Sequence, residues 1–327
     1  MITRRQLLIG SLGLGASALT SCAPRPAEEL STTVFCFDTV CQLRGVMDQE
    51  VLDGAVALCE RFEQLFSRTI EGSDVSRINA AGGEAIKVDE HTATLIARSR
   101  EYSEASGGLF DITIGAVTEL WDFKEGVVPA PEAIEQALTH VGWQKLQVQG
   151  NTVQLADRQA RIDLGGIAKG YIADELIGLF SRRGVKSASV NLGGNVAVLG
   201  SKADGSPWNV GVRDPFDESG ASVIAKIATN GGSVVTSGLY ERSFERDGKR
   251  YWHILDPRTG YPVTSKIVSA TLYTQRSLDG DGYTKPLFMM EPDEALSFAE
   301  EHAGAQALLV LEDGSTCVTE KNLYVIA

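Results

Sequence analysis

The stretch from Arg161 to Asp174, RIDLGGIAKGYIAD, constrains the fold more than any other part of the sequence. An apolar run ends in Asp163, two glycines follow, and Lys169 stands at the start of an amphipathic helix. Glycines let the backbone approach a ligand closely, and the free N–H groups of a helix start favour anions. The pattern therefore indicates a site for a phosphorylated cofactor. A strand-to-helix turn with glycines for packing is the alternative, since neither the Walker spacing nor the full dinucleotide fingerprint is present.

Composition narrows the class of protein. The chain has 327 residues, a formal net charge of −13 and 43% hydrophobic residues, which suits a globular protein with a full core in one large domain or two. Nucleic-acid binding needs clustered Lys and Arg, so the acidity argues against a nucleic-acid partner. An anionic ligand would need local N–H groups, a metal ion or single cations.

The N-terminal residues have the pattern of a targeting signal. Arg4 and Arg5 precede a glycine-rich apolar run, which is typical of a twin-arginine export signal and predicts a signal peptide over 1–21. Leu-Thr-Ser-Cys ending at Cys22 resembles a bacterial lipobox, so we expect a lipid anchor on Cys22 and a tether over 22–31. An ordinary secretion signal is the alternative. The folded domain, 32–327, would then lie on the outer face of the cytoplasmic membrane or in the periplasm.

Periodicity and turn residues predict alternating helices and strands. We expect one α+β domain of mixed sheets and helices, in which two lobes could enclose a cleft. The predicted helices are 48–66, 89–106, 131–140, 167–182, 279–290 and 293–303. The predicted strands are 32–44, 85–88, 145–148, 152–155, 187–190, 196–199, 208–212, 222–228, 244–246, 250–254, 266–273, 307–311 and the last residues. A polar connection is expected over 67–79.

Four cysteines follow Cys22, and no pair of them has metal-ligand spacing. Outside the cytoplasm a disulfide can form, and its pairing stays open. Cys59 lies on an apolar helix face and is expected as a buried small hydrophobe. Cys36 and Cys41 are five residues apart in one predicted strand, so they should face opposite sides of it. The fourth is Cys317.

Three glycine pairs follow or adjoin predicted elements, and each lies near an acid or an amide. Several such loops could converge on an extended ligand such as a nucleotide, although a single glycine pair usually marks a turn. The pairs are Gly107-Gly108, Gly165-Gly166 and Gly193-Gly194, and the polar residues are Asp111, Asp163, Asn191 and Asn195.

His253 has the position best suited to catalysis among the four histidines. It ends a predicted strand just before Asp256, and loops at such places often carry function. Imidazole suits proton transfer near neutral pH. A half-buried histidine bonded to Asp256 is the alternative. His91, His140 and His302 lie in predicted helices and are expected at the surface.

Asp279 to Thr284, DGDGYT, clusters acids and a hydroxyl near the end of the chain. Oxygen ligands at short spacing suit a hard cation such as Mg2+. The cluster lacks the length and closing Glu of an EF-hand loop. A simple turn is the alternative, because Asp and Gly together favour turns.

Taken together, these motifs resemble the ApbE family of FAD:protein FMN transferases. The resemblance runs from about Phe35 to the last strand, and its most specific part is the glycine-rich stretch 163–170. The matching motifs occur in the family's order: SGGLFD at 106–111, DLGGIAKG at 163–170, NLGGN at 191–195, TSG at 236–238 and HILDPRTG at 253–260.

The resemblance implies transfer of FMN from FAD to a Thr or Ser hydroxyl of an exported flavoprotein, with AMP leaving and Mg2+ assisting cleavage of the pyrophosphate. The acceptor would carry a D-G-x-[ST]-G-A-[ST] motif. A FAD pyrophosphatase, with water as acceptor, and a non-catalytic FAD-binding lipoprotein are the alternatives. By position, the FAD site would comprise Leu109, Phe110, Asp111, Asp163, Lys169 and Ser237. The Gly166 carbonyl and Asp281 would bind the metal, and His253 would activate the acceptor hydroxyl.

One departure from the family pattern concerns the metal. The family usually has D-A-L-S-T-A-L-F near its end, whose Asp and Thr bind the metal, whereas residues 281–288 read DGYTKPLF. Lys285 thus stands in place of the Thr ligand, and a charged lysine offers no acceptor. Three outcomes are open. Thr284 becomes a ligand through a local shift helped by Pro286, Lys285 supplies the positive charge itself, or metal and activity are lost.

We expect radiolabelled palmitate to enter the wild-type chain but not Cys22→Ala, because the lipobox cysteine would be the lipidated residue. Labelling is measured on the purified chains after growth with the labelled lipid. Cys317→Ala, which removes a cysteine outside the signal, should label like the wild type. Equal labelling of wild type and Cys22→Ala would show that the anchor prediction is wrong.

Overall fold

A computed structural model describes residues 29–217, 219–319 and 324–326; the predictions for the signal peptide, Cys22 and residues 23–28 of the tether lie outside this part. Its strands form one large sheet and three small ones. The strands are β1 (Glu29–Cys36), β2 (Thr39–Val46), β3 (Ile86–Lys87), β4 (Leu146–Gln149), β5 (Thr152–Leu155), β6 (Ala188–Leu192), β7 (Asn195–Leu199), β8 (Trp208–Arg213), β9 (Val223–Thr229), β10 (Gly231–Gly238), β11 (Ser243–Arg246), β12 (Lys249–Trp252), β13 (Ile267–Thr274), β14 (Gln306–Leu311), β15 (Thr316–Val318) and β16 (Tyr324–Ile326).

The helices are mostly close to the predicted segments. No helix in the described residues is both long and apolar enough to span a bilayer. The helices are α1 (Gln49–Phe66), α2 (Asp74–Ala80), α3 (Glu90–Ala105), α4 (Gly115–Thr118), α5 (Pro131–Leu138), α6 (Ala168–Arg182), α7 (Ser277–Leu287) and α8 (Pro292–Ala303), with a 3-10 turn at Trp143–Lys145.

The large sheet is antiparallel, with strand order β1-β2-β6-β7-β10-β13-β14-β15. Helices α1, α6, α7 and α8 pack against it and enclose the main core. A three-stranded sheet, β16-β9-β8, contributes to a second apolar cluster. In β14, Ala307 and Leu309 belong to the main core, whereas Leu308 and Val310 belong to the second cluster. This alternation explains why β14 is apolar along its length, because successive strand residues face opposite sides.

A third apolar cluster unites Val117 of α4, Trp121, Ile134 of α5 and Leu255, which follows β12. The Trp121 indole donates a hydrogen bond to the Gly260 carbonyl at 3.0 Å, so segments far apart in sequence are joined. The architecture is the expected α+β domain, and it is a single domain rather than two separate ones.

The first predicted strand, 32–44, is wrong: the chain forms a hairpin there. Phe37 and Asp38 both adopt positive φ, 57° and 55°, and reverse the chain between β1 and β2. Non-glycine residues seldom adopt this conformation, and no Asn-Gly or Asp-Gly pair signals the turn. The strand also begins at Glu29, so residues 29–31, which the tether prediction included, are part of the sheet.

The hairpin corrects the prediction that Cys36 and Cys41 face opposite sides of one strand. They lie in neighbouring strands, both are buried, and the Cys41 thiol donates to the Cys36 carbonyl at 3.7 Å. Cys59 is buried in the core as predicted. All three are free thiols, as is Cys317. Burial raises the pKa of Cys41 to about 11, which keeps this thiol protonated at neutral pH.

The polar connection predicted over 67–79 contains a helix that the prediction missed. Ser73 caps α2 by accepting a hydrogen bond from the Ser76 amide at 2.9 Å. This is the standard signal for a helix start, but the helix spans only 7 residues and offers too few turns for a clear apolar period. The predicted segments corresponding to α1, α3, α6, α8 and the β4–β5 hairpin are confirmed to within about two residues.

Helices α6 and α7 cross at Gly170. A β-carbon placed on Gly170 would lie 2.6 Å from the Asp281 β-carbon and 2.6 Å from the Ser277 carbonyl oxygen. The Asp174 carboxylate, one turn further along α6, accepts from the Ser277 and Leu278 amides at 2.7 and 3.0 Å and so caps the start of α7. The glycine therefore allows a helix crossing that Asp174 then fixes.

Gly170→Ala should lower the free energy of unfolding by about 1–3 kcal/mol, because the added methyl meets backbone that cannot easily move. Gly54→Ala is the matched control, since no atom lies within 4 Å of a β-carbon placed there in the middle of α1. Alanine is the better helix former, so this control should be neutral or stabilising by up to about 1 kcal/mol. Urea unfolding at neutral pH measures both, and equal stability of the two variants would contradict a tight crossing.

Candidate active site

Hydrogen bonds from two other segments hold the glycine-rich stretch in place at Ile162 and Asp163. Asn79 of α2 makes two hydrogen bonds with the Ile162 backbone, at 2.9 and 2.8 Å, and the Asp163 amide donates to the Ile112 carbonyl at 2.8 Å. The chain then turns through Gly165 and Gly166 into α6, and Ile167, the residue before the helix, provides no side-chain cap. The Ala168 amide donates to the Leu164 carbonyl and the Gly170 amide donates to Asp281, so the Lys169 amide is the one left for an anion among these first three.

Asp163 orients this loop. One carboxylate oxygen accepts from the Gly165 amide at 2.8 Å, and the other accepts from the Thr118 hydroxyl at 3.2 Å and pairs with Arg68 at 3.3 Å. The carboxylate is only partly buried, so it can still contact a ligand. Arg68 was not predicted as a site residue; it follows the end of α1 in a stretch without periodic pattern.

Asp281 is the most deeply buried charged group of the site. Its side chain is 1% exposed, and it accepts from the Gly170 amide at 2.8 Å. The Lys285 ammonium pairs with the same carboxylate and donates to the Asp281 carbonyl at 3.0 Å. Burial would raise the pKa of Asp281, but the charges of Lys285 and Lys169 and the donated hydrogen bonds outweigh it and lower that pKa. Burial in turn lowers the pKa of Lys285, and Asp281 opposes this change.

Thr284 and Ser237 meet beside this ion pair. Their hydroxyl oxygens are 2.9 Å apart, and Thr284 also donates to the Asp281 carbonyl at 3.2 Å. Both residues are buried. The Thr284 side chain therefore points at β10, where its hydroxyl already has partners.

The loop before α4 brings Phe110 to the same place. A β-carbon on Gly166 would lie 3.5 Å from the Phe110 ring and 4.0 Å from the Lys285 ε-carbon, so these three residues adjoin. The Phe110 ring is buried, and its amide is fixed by the Ser106 hydroxyl at 3.0 Å. Leu109 is half-buried next to it.

Asp111 is buried and engaged in structure. Its carboxylate accepts from the Thr113 amide at 2.8 Å and hydroxyl at 2.7 Å, and from the Trp143 amide at 2.8 Å. Burial raises its pKa against the effect of these bonds. Asp111 and Trp143 border a cavity of about 240 Å3 between the Gly107-Gly108 turn and Arg258. The role of Asp111 toward FAD stays a prediction.

His253 is not bonded to Asp256, which was the alternative to a catalytic role. The Asp256 carboxylate instead binds Arg258, at 2.7 Å from one guanidinium nitrogen. The Nδ1 atom of His253 is buried and has no hydrogen-bond partner among the described residues. Burial lowers the pKa of His253 to about 4, and the positive charges of Arg242, Lys169 and Lys285 act in the same direction. The imidazole is therefore neutral at neutral pH and able to accept a proton.

The other histidines differ in their surroundings. His91 is half-buried, with its ring nitrogen 2.8 Å from the Tyr171 hydroxyl, and His140 is half-buried against Asp157 at 2.9 Å. Only His302 of these three is exposed as predicted. Tertiary packing covers the other two helix positions, which a helical period alone does not reveal.

Glu241 and Arg242 also belong to this region and were not predicted. A β-carbon on Gly194 would lie 3.6 Å from the Glu241 carboxylate, so Glu241 adjoins the NLGGN turn. The Arg242 carbonyl accepts from the His253 amide at 3.0 Å. Both residues lie a few positions after the TSG motif in the sequence. That proximity is the signal that could have identified them.

The structure thus joins most of the predicted site residues around the start of α6. Gly166, Lys169, Ser237, His253, Asp281, Thr284 and Lys285 lie in one region, with Phe110 and Asp163 at its border. Lys169 and Lys285 border neither the cavity of about 240 Å3 nor a second cavity of about 450 Å3 beside β1, β2 and β8. We place the site by its side-chain chemistry rather than by cavity size.

The donor atoms present do not fit a divalent cation beside Asp281. Such an ion takes oxygen ligands, whereas Lys285 brings an ammonium to the carboxylate that would bind it. The Thr284 hydroxyl is engaged with Ser237 and the Asp281 carbonyl. No group of three or more His, Cys, Asp or Glu side chains suited to a metal ion occurs in the part of the chain that the structure describes.

Comparison with known proteins identifies relatives across nearly the whole chain. The ApbE family model matches residues 37–309. A FAD:protein FMN transferase of Treponema pallidum is 34% identical over 93% of this chain and 91% of its own length. One from Klebsiella pneumoniae is 35% identical over 81% of this chain and 84% of its own length.

Solved structures agree with the sequence comparison. The ApbE protein of Thermotoga maritima superposes with a TM-score of 0.82 at 32% identity, covering 90% of this chain and 97% of its own. The flavin transferase ApbE of Vibrio cholerae gives a TM-score of 0.80 at 25% identity, covering 90% of this chain and 98% of its own. The family model matches most of this chain, and relatives are more than 30% identical to it. This chain therefore belongs to the ApbE family.

Proposed function

We propose that this chain transfers FMN from FAD to a Thr or Ser hydroxyl of a flavoprotein acceptor and releases AMP. The observation that carries the proposal is the grouping of Lys169, Lys285 and a neutral His253 at the start of α6. This grouping supplies positive charge for a pyrophosphate and a base for a hydroxyl. The curated relatives named above are FAD:protein FMN transferases, which agrees with this chemistry.

In the proposed reaction, the acceptor hydroxyl oxygen attacks the phosphorus of the FMN half of FAD. A new phosphoester bond forms, the bond from this phosphorus to the bridging oxygen breaks, and AMP leaves with that oxygen. His253 accepts the hydroxyl proton. The backbone amide and the ammonium of Lys169 stabilise the negative charge on the phosphates. Asp163 holds the glycine loop and Arg68 in position.

The resemblance also implied Mg2+, the usual partner of a pyrophosphate. Because the donors beside Asp281 do not fit such an ion, the proposed reaction contains no step through a metal. We further propose that the acceptor is exported and carries a D-G-x-[ST]-G-A-[ST] motif. In this proposal the enzyme is held at the outer face of the cytoplasmic membrane, or in the periplasm, by a lipid on Cys22, after removal of 1–21. The RR and LTSC patterns support this location.

Incubation with FAD and an acceptor carrying D-G-x-T-G-A-T should give an acceptor band with in-gel flavin fluorescence and an equal amount of AMP. An acceptor with that Thr replaced by Ala is the control and should stay dark. AMP formed equally with and without acceptor would identify a FAD pyrophosphatase instead. Intact bound FAD after incubation, with Mg2+ and without, would identify a non-catalytic FAD-binding protein. Either result would reject the proposal.

The pH dependence should report the lowered pKa of His253. The kcat/KM for FAD reflects the free enzyme, so it should stay level from pH 7 to about 5 and fall toward pH 4, where the imidazole becomes protonated. The negative pyrophosphate raises that pKa when FAD is bound, so kcat should fall at a higher pH than kcat/KM.

His253→Gln should lower kcat by about 100- to 10,000-fold and remove the acid limb. His302→Gln, at an exposed position of α8, is the control and should keep both the kcat and the acid limb of the wild type. Thermal unfolding over the same pH range separates loss of the base from loss of the fold. A kcat/KM that falls with a midpoint near 6.5, the ordinary value for histidine, would contradict this account.

A further inference from the structure

The ion pair between Lys285 and Asp281 suggests how the site provides positive charge. Lysine and aspartate are four residues apart on α7, so their side chains lie on the same face of the helix. The Asp281 side chain is 1% exposed and that of Lys285 is 18% exposed, so the carboxylate is the more deeply buried partner of the pair. A buried carboxylate without a cation would be strongly destabilising.

The ammonium has donor capacity left after binding Asp281. Nζ carries three donors, and the described contacts use the carboxylate and the carbonyl of Asp281. A β-carbon on Gly166 would lie 4.0 Å from the Lys285 ε-carbon, and the Gly166 loop leads to the Lys169 amide, which has no hydrogen-bond partner among the described residues. A phosphate bound at this loop and at the Lys169 amide would be near the third donor.

We infer that the Lys285 ammonium takes the place of a divalent cation beside Asp281, so that FMN transfer by this chain does not require Mg2+. The inference about transfer rests on the proposed function, whereas the inference about metal binding does not. A second cation would have to enter next to an ammonium already paired with the buried carboxylate of Asp281. Coulomb repulsion at that distance opposes its binding.

The alternative in which Thr284 becomes the ligand is not favoured by the geometry. Its hydroxyl lies 2.9 Å from Ser237 and 3.2 Å from the Asp281 carbonyl, on the buried side toward β10. A rotation of the Thr284 side chain away from β10 would break both contacts and leave the Ser237 hydroxyl without this partner. Lys285 needs no such change.

The first experiment measures metal binding without any reaction. Mn2+ is titrated into the FAD-bound chain without acceptor, and bound Mn2+ is determined by electron paramagnetic resonance. The wild type should bind none at this site. Lys285→Thr, which restores the hydroxyl expected from the family pattern, should bind one ion that is lost in the double variant with Asp281→Asn.

Thermal unfolding provides a second readout. Lys285→Thr leaves the Asp281 charge uncompensated, so its Tm should fall below that of the wild type and recover as Mg2+ is added, because an ion bound to the native state stabilises it. Lys285→Met removes the charge without adding a ligand, so its Tm should fall without recovery. Lys266→Thr is the matched control, because Lys266 pairs with Glu291 at an exposed position. Its Tm should be independent of Mg2+.

The third measurement is FMN transfer in EDTA and in Mg2+. The wild type and Lys266→Thr should transfer at rates equal within about twofold in both solutions, whereas Lys285→Thr should be at least about tenfold faster in Mg2+ than in EDTA.

Asp281-dependent Mn2+ binding by the wild type, or loss of its transfer in EDTA, would overturn the inference. So would absence of Mn2+ binding in both wild type and Lys285→Thr. If no variant transfers FMN under any condition, the proposed function fails, and the Mn2+ titration still decides whether Lys285 fills a cation site.

Discussion

The buried carboxylate of Asp281 is the interaction on which the site depends. Removing one partner from a buried ion pair typically costs about 3–5 kcal/mol, so a carboxylate that is 1% exposed requires a positive charge beside it. Gly170 contributes an amide to the same carboxylate because α6 and α7 approach closely there. Helix crossing, charge compensation and the position of the Lys285 ammonium are therefore linked through this one carboxylate.

The glycine-rich stretch and its helix could be predicted from the sequence, because the apolar period and the glycine pair are local signals. The β1–β2 hairpin could not, since its reversal uses positive φ at Phe37 and Asp38, a strained choice that the surrounding sheet enforces. Likewise, α2 is too short for a period, and its helix start at Ser73 is visible only once the cap is known to form.

In the candidate site, too, some features could be predicted from the sequence and others could not. Spacing along α7 shows from sequence that Asp281 and Lys285 can share a helix face, but it leaves open where Lys285 points. The choice among three outcomes needed the Ser237 contact, which occupies the Thr284 hydroxyl from a strand more than forty residues earlier in the chain. Glu241 and Arg242 lie in a loop without periodicity, so the sequence offers only their nearness to the TSG motif, and the structure adds their position beside Gly194 and His253.

An ammonium carries half the charge of a divalent ion, and this difference has consequences for the neighbouring groups. In the proposed reaction, the charge of the pyrophosphate is then balanced to a greater extent by the ammonium and the backbone amide of Lys169. The same positive groups, together with burial, lower the pKa of His253 to about 4. In the proposed reaction, a bound pyrophosphate offsets their effect, so the ligand itself makes His253 a stronger base. The proposal therefore couples charge compensation at Asp281 to proton transfer at His253 through the ligand, although no hydrogen bond among the described residues joins the two side chains.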